Sequence, residues 1–151
     1  MTTTSARTAR WDGVPRRVRL AVGSAAAVFV YGTVVHIVHL SAPGEPYPGM
    51  PGWLAASFAS LVALDPLVAG LLALRLRLGH TAACAVLVAD ALANGYAHYW
   101  LDTATGLTPG RAGHAVVTLL AAALLAAGPA VRPWLLQWPV GPVGPARTPG
   151  A

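Results

Sequence analysis

The sequence predicts an all-α fold, a four-helix transmembrane bundle with both termini cytoplasmic and no sizeable soluble domain. Three observations carry that expectation. Of 151 residues, 56% are hydrophobic and 10% charged, where soluble globular chains carry roughly 25% charged residues. The apolar residues fall into four runs, each near the length of about 20 residues that a membrane-crossing helix needs. The breaks between runs are rich in Pro, Gly and Arg, residues that stop helices or stay at the membrane surface.

Residues 1–17 mix Thr, Ser, Gly, Pro and Arg without apolar periodicity and predict a disordered basic arm. The membrane domain is expected over 18–132, with its first span at about 18–40. That run is longer than the roughly 7–15 apolar residues of a secretory signal, and no small-residue cleavage pattern follows it. The segment Ser41–Gly52 holds four Pro and three Gly and must be a loop. A second span is expected at 53–74, closed by Arg75 and Arg77. A third follows at 81–101, and a fourth at 112–131 before Arg132 and Pro133. Residues 133–151 are Pro/Gly-rich and read as a flexible tail.

Orientation follows from the arginines, which make up all ten basic residues. Five stand at the N-terminal edge of the first span, two between the second and third, and Arg132 after the fourth; the other side has Arg111. The positive-inside rule then places both ends in the cytoplasm of a cell (inner) membrane. The absence of Lys together with Ala, Leu, Val, Gly and Pro enrichment associates with GC-rich coding and points to a bacterial source. Tyr47, Trp53, Tyr99 and Trp100 are expected at the outer interface, with Trp134 and Trp138 at the inner one.

The net charge of +5 sits beside apolar segments and not on one aromatic-laced face, so it argues for membrane lipids with anionic headgroups near the N-terminal Arg cluster, and against nucleic acid. Cys84 is alone within an apolar run, which excludes a disulfide framework and a cysteine metal site. Phosphate-binding, dinucleotide, nucleophile-elbow and H-E-x-x-H motifs are missing, so the common soluble enzyme chemistries are unsupported. Small-xxx-small pairs at Gly23/Ala27, Ala55/Ala59 and Ala91/Gly95 predict close helix contacts, within the bundle or in a homo-oligomer or partner-subunit assembly.

The informative residues are polar ones inside the spans. Asp65 and Asp90 fall near the middle of their helices, where an ionised carboxylate facing lipid costs about 2.5–3.5 kcal/mol on insertion scales. Both are expected to face inward. Asp90, Asn94 and His98 recur every four residues and form a stripe on one helix face. Pro66 follows Asp65, and its missing N–H predicts a kink beside the carboxylate. These four, Asp65, Asp90, Asn94 and His98, are the candidate ligand or proton site, in a polar cavity open to the outer face.

A second set has metal-ligand chemistry. His36 and His39 are three apart, and His98 and Asp102 four apart, so each pair projects from one helical face; His114 reaches a similar depth. His36, His39, His98, Asp102 and His114 supply nitrogen and oxygen donors of the kind a divalent metal accepts. Haem b, held axially by His36 with His98 or His114, is the other cofactor the pattern admits. A third reading treats every polar group as packing glue in a structural accessory subunit. No catalytic residue is assigned.

Overall fold

The computed structural model describes residues 11–137. Four α-helices account for most of them: α1 (Arg16–Ser41), α2 (Gly52–Ala73), α3 (Arg77–Tyr96) and α4 (Pro109–Val131). No strand occurs among the described residues; a lone bridge joins Leu76 and Leu136. α1, α2 and the stretch Pro109–Trp134 are long and apolar enough to cross a membrane. α3 is outside that set, since its 20 residues include Arg77, His80, Asp90 and Asn94.

Local chemistry explains the boundaries. Pro15 stands at the N-cap of α1, and Pro51 at that of α2. Proline there costs nothing, because the first N–H groups of a helix lack intrahelical partners. The loop between them turns at Gly44 and Gly49, both with positive φ. α2 runs through Pro66 as one helix. α3 begins at Arg77, four residues before the expected Thr81, after a short connection in which Arg75 has a φ of 59°. At its far end α3 passes into a π-helical turn, Ala97–Leu101. α4 has the most conventional start: Pro109 is at its first turn, and the Thr108 hydroxyl accepts the Arg111 N–H at 3.2 Å.

α1 packs most extensively on α2, and α3 on α4, while α1 meets α4 only sparsely. Two apolar clusters hold the bundle. One lies toward the end carrying both termini and includes Val18, Val22, Leu72, Ala83, Val131 and Leu135. The other lies at the opposite end around Leu54, Phe58, Leu61, Ala93 and Ala97. Outward-facing side chains are also large and apolar: Val38 on α1, Leu67 on α2, Leu92 on α3 and Leu119 on α4 are each more than half exposed.

The terminal segments are partly ordered. Val14 is buried, and Arg75 lies over the Trp11 ring. Residues 133–137, the start of the expected tail, form a clasp. Leu136 N–H donates to the Arg75 carbonyl and Arg77 N–H to the Leu136 carbonyl, each at 2.8 Å. The Arg75 and Arg77 side chains donate to the carbonyls of Trp134 and Leu135. Arg75 and Arg77, expected to close the second span, thus also fasten residues 133–137 to the α2–α3 connection. Arg7, Arg10, Trp138 and the rest of the expected arm and tail lie outside the described residues.

Of the expected small-residue pairs, Ala91 is buried and Gly95 packs against the His114 ring. Gly23 and Ala27 are exposed, and a Cβ on Gly23 would meet nothing within 4 Å. The closest backbone approach is at Gly79, where a Cβ would come within 2.6 Å of the Leu71 carbonyl carbon. That glycine allows α2 and α3 to turn back on each other.

Candidate ligand-binding cavity

A cavity of about 720 Å³ opens between all four helices and the α1–α2 loop. Asp65, Asp90, Asn94 and His98 all line it, as do His36 and His39. Its walls are otherwise largely apolar, with Val28 and Val35 from α1, Val86 from α3, and Val116 and Leu120 from α4. No Arg contributes to the lining.

α2 brings Asp65 to the cavity while leaving it only 5% exposed. Its Oδ2 lies 3.8 Å from His36 Nε2 on α1, an ion-pair distance beyond hydrogen-bond reach. Helices α1 and α2 approach here because position 32 is glycine: a Cβ on Gly32 would lie 2.5 Å from that same Oδ2. No pattern along α1 singles out Gly32.

Asp90 is supported from its own helix. The Asn94 amide donates to Asp90 Oδ1 at 2.8 Å and to the Asp90 carbonyl at 3.0 Å. The four-residue spacing therefore makes a real contact, as neighbouring turns of one helix face require.

Tyr47 differs from the sequence expectation. It lines the cavity, half-buried, with its ring 5.5 Å from Phe58 and its hydroxyl buried without a hydrogen-bond partner. Burial, and secondarily the charge of Asp90, pushes the phenol above its ordinary value. The chamber thus receives a hydroxyl from the Pro-rich loop, a segment whose composition advertises only turns. Trp53, Tyr99 and Trp100 are exposed at that end of the bundle.

The metal-type donors are spread out. His36 is turned to Asp65, with its Nδ1 buried and unpartnered. The His98 ring lies on Gly110 of α4, where any side chain would collide with it. His114 packs its ring edge-on to Tyr99 at 5.4 Å and against Gly95, away from the cavity wall. Asp102 accepts the Ala104 N–H at 2.8 Å in the α3–α4 loop. Among the described residues no three His, Cys, Asp or Glu side chains gather as a metal-holding group.

Arg111, the cation nearest this end, is committed elsewhere. It donates to the carbonyls of His98, Gly106 and Ala104 at 3.0, 2.6 and 2.6 Å, and its guanidinium lies over Tyr99. It ties the loop down and leaves the carboxylates without a facing guanidinium. Chemically the chamber is a largely apolar cavity with two acidic groups, three imidazoles and one unpartnered phenol. No known protein family, curated protein or solved structure matches this chain.

Proposed function

We propose that this chain is a four-span membrane protein that binds a small ligand or ion in its polar cavity. One observation supports this reading above the others: four helices and a loop converge on one partly open space lined by both intramembrane carboxylates. Helices held only by polar glue would be expected to close on their carboxylates, and here a space of about 720 Å³ remains beside them. That volume falls in the range of about 300–1,000 Å³ typical of small-molecule sites, and apolar walls with few polar groups fit the same class.

The membrane setting rests on two further facts. Three helical stretches have the length and composition to cross, and the bundle's outer surface carries large aliphatic side chains on every helix. α3, at 20 residues, reaches about 30 Å, the thickness of a bilayer's hydrocarbon core. Its polar residues Asp90 and Asn94, and His98 in the π-helical turn that follows it, line the cavity, so we read it as the fourth span. With the arginines cytoplasmic, the cavity opens to the outer half of a bacterial inner membrane.

The test is thermal unfolding of the purified protein in nanodiscs against inorganic cations, organic amines, carboxylic acids and neutral lipophiles. A true ligand at a hundred times its Kd should stabilise by about 2.7 kcal/mol. The stabilisation should vanish in Asp65→Asn and Asp90→Asn. Stabilisation by no class, or stabilisation that persists undiminished in both variants, would sink the proposal.

A further inference from the structure

The chamber does not end at its acidic floor. Val28, Phe29, Leu87 and Leu120 belong both to its wall and to that of a second cavity of about 270 Å³. This second space follows the sparse seam between α1 and α4. It is lined by Ala21, Ser24 and Ala25 on one side and Ala123, Leu124 and Ala127 on the other. Small side chains on facing helices leave a slot there, and no ionisable residue enters it. From Phe29 back to Ala21 the slot follows eight residues of α1, about 12 Å at 1.5 Å per residue. It leads from the Asp65 level toward the end of the bundle that carries both termini.

Head and tail requirements can be read separately. The chamber offers two carboxylates without a lining guanidinium and an unpartnered Tyr47 hydroxyl. A protonated amine answers both, since it carries the complementary charge and three hydrogen-bond donors. Apart from the Ser24 hydroxyl the slot offers apolar contact, drawn out along α1 and α4, which suits an unbranched hydrocarbon chain.

Resting on the ligand-binding reading above, we infer that the ligand is a single-chain amphiphile with a protonated amine head, the head between Asp65 and Asp90 and the tail along the α1–α4 slot. A tail moving from lipid into the slot leaves one apolar medium for another, so it gains little hydrophobic free energy. Affinity therefore comes from the head, and the slot selects chain shape. The sparse α1–α4 contact is also the side entrance through which a membrane-dissolved ligand reaches the chamber.

The experiment uses the full chain in phosphatidylcholine nanodiscs with two photoreactive hexadecylamines, one bearing a diazirine at the tail end and one beside the amine. Peptide mapping should place the tail label within residues 21–29 and 120–127, and the head label within 86–98. Unlabelled hexadecylamine should abolish both, while hexadecanol and hexadecyl sulfate should leave both in place. Ala123→Trp should remove the tail label and keep the head label; Ala123→Leu, a smaller plug, should reduce it in the same sense. Tail label spread over lipid-facing positions such as Leu92 and Leu119, or indifferent to the plugs, overturns the tail assignment. If the head label still competes in that case, the chamber's role in binding stands. Equal competition by hexadecyl sulfate overturns the amine head.

Discussion

The Asp65 carboxylate occupies the space that a methyl group on Gly32 would need, with Oδ2 2.5 Å from the position of that missing carbon. α1 and α2 are the most extensively packed pair in the bundle, and the atoms nearest that carbon belong to the Asp65 side chain. Gly32→Ala should therefore push Asp65 out of line with His36. A cost of about 1–3 kcal/mol is expected for overpacking, read as a lowered unfolding temperature, together with loss of ligand-dependent stabilisation. Gly23→Ala on the same helix faces open space and should be neutral or up to about 1 kcal/mol stabilising from helix propensity. Equal effects at the two positions would mean that the Gly32–Asp65 approach does not hold the site.

Asp90→Asn separates charge from shape. The Asn94 amide donates to Asp90 Oδ1, and an asparagine oxygen at position 90 accepts the same bond. Folding stability should stay within about 0.5 kcal/mol, the range of substitutions that break no packing or network, while cation-dependent stabilisation disappears. Asn94→Leu removes the donor and leaves the partly buried carboxylate short of one partner, which should cost about 1–3 kcal/mol. Unfolding curves of the two variants, recorded with and without an amine, distinguish a binding carboxylate from a packing one.

Much of the candidate site was legible because it is written along single helices. Asp90 and Asn94 share a face by spacing alone, and the intramembrane cost of a charge is reason enough to turn Asp65 inward. What was not legible depends on pairs from different helices. Gly32 matters through Asp65, Gly110 through His98 and Gly79 through Leu71, and no periodicity within one helix announces such partners. The small-xxx-small pattern divides for the same reason: Ala91 is buried and Gly95 packs against the His114 ring, whereas Gly23 and Ala27 face outward. The HxxH and HxxxD spacings brought His36, His39 and His98 to one cavity, but spacing could not foresee that His114 packs against Tyr99 and that Asp102 serves a turn.

At the mouth, Gly110→Ala should act through His98. A side chain at position 110 collides with that ring, whereas a Cβ on Gly113, one turn along α4 and also on the cavity wall, meets nothing. Gly110→Ala should displace the imidazole and loosen the α3–α4 contact, lowering stability by about 1–3 kcal/mol. Gly113→Ala should leave stability unchanged or raise it by up to about 1 kcal/mol. Thermal unfolding of the pair is the check, and similar losses in both would remove His98 as the cause.

The clasp at the termini end predicts a stability effect far from the cavity. Leu135 is 4% exposed within the cluster formed with Val18, Leu72 and Val131, and its carbonyl accepts the Arg77 side chain. Leu135→Ala should cost about 2–5 kcal/mol, the usual range for a buried leucine, while the head-group preference of the cavity stays the same. A loss below about 0.5 kcal/mol, the level of an ordinary surface change, would mean that residues 133–137 do not fasten the bundle.

Tyr47 allows a pH test in a group at the bundle's loop end. Its phenol is raised above the ordinary 10.0 by burial and then by Asp90, so above pH 10 the unfolded chain loses this proton before the folded one does. The unfolded state then binds fewer protons, and unfolding becomes easier as pH rises. The Tyr47 contribution is complete below pH 10 and is lost as pH climbs through the raised folded value. Tyr47→Phe should flatten this alkaline decline relative to the parent protein and delete the latest step in the ultraviolet phenolate titration. If the variant keeps both the decline and that step, the Tyr47 hydroxyl is not shielded in the chamber, and the amine head loses one of its expected partners.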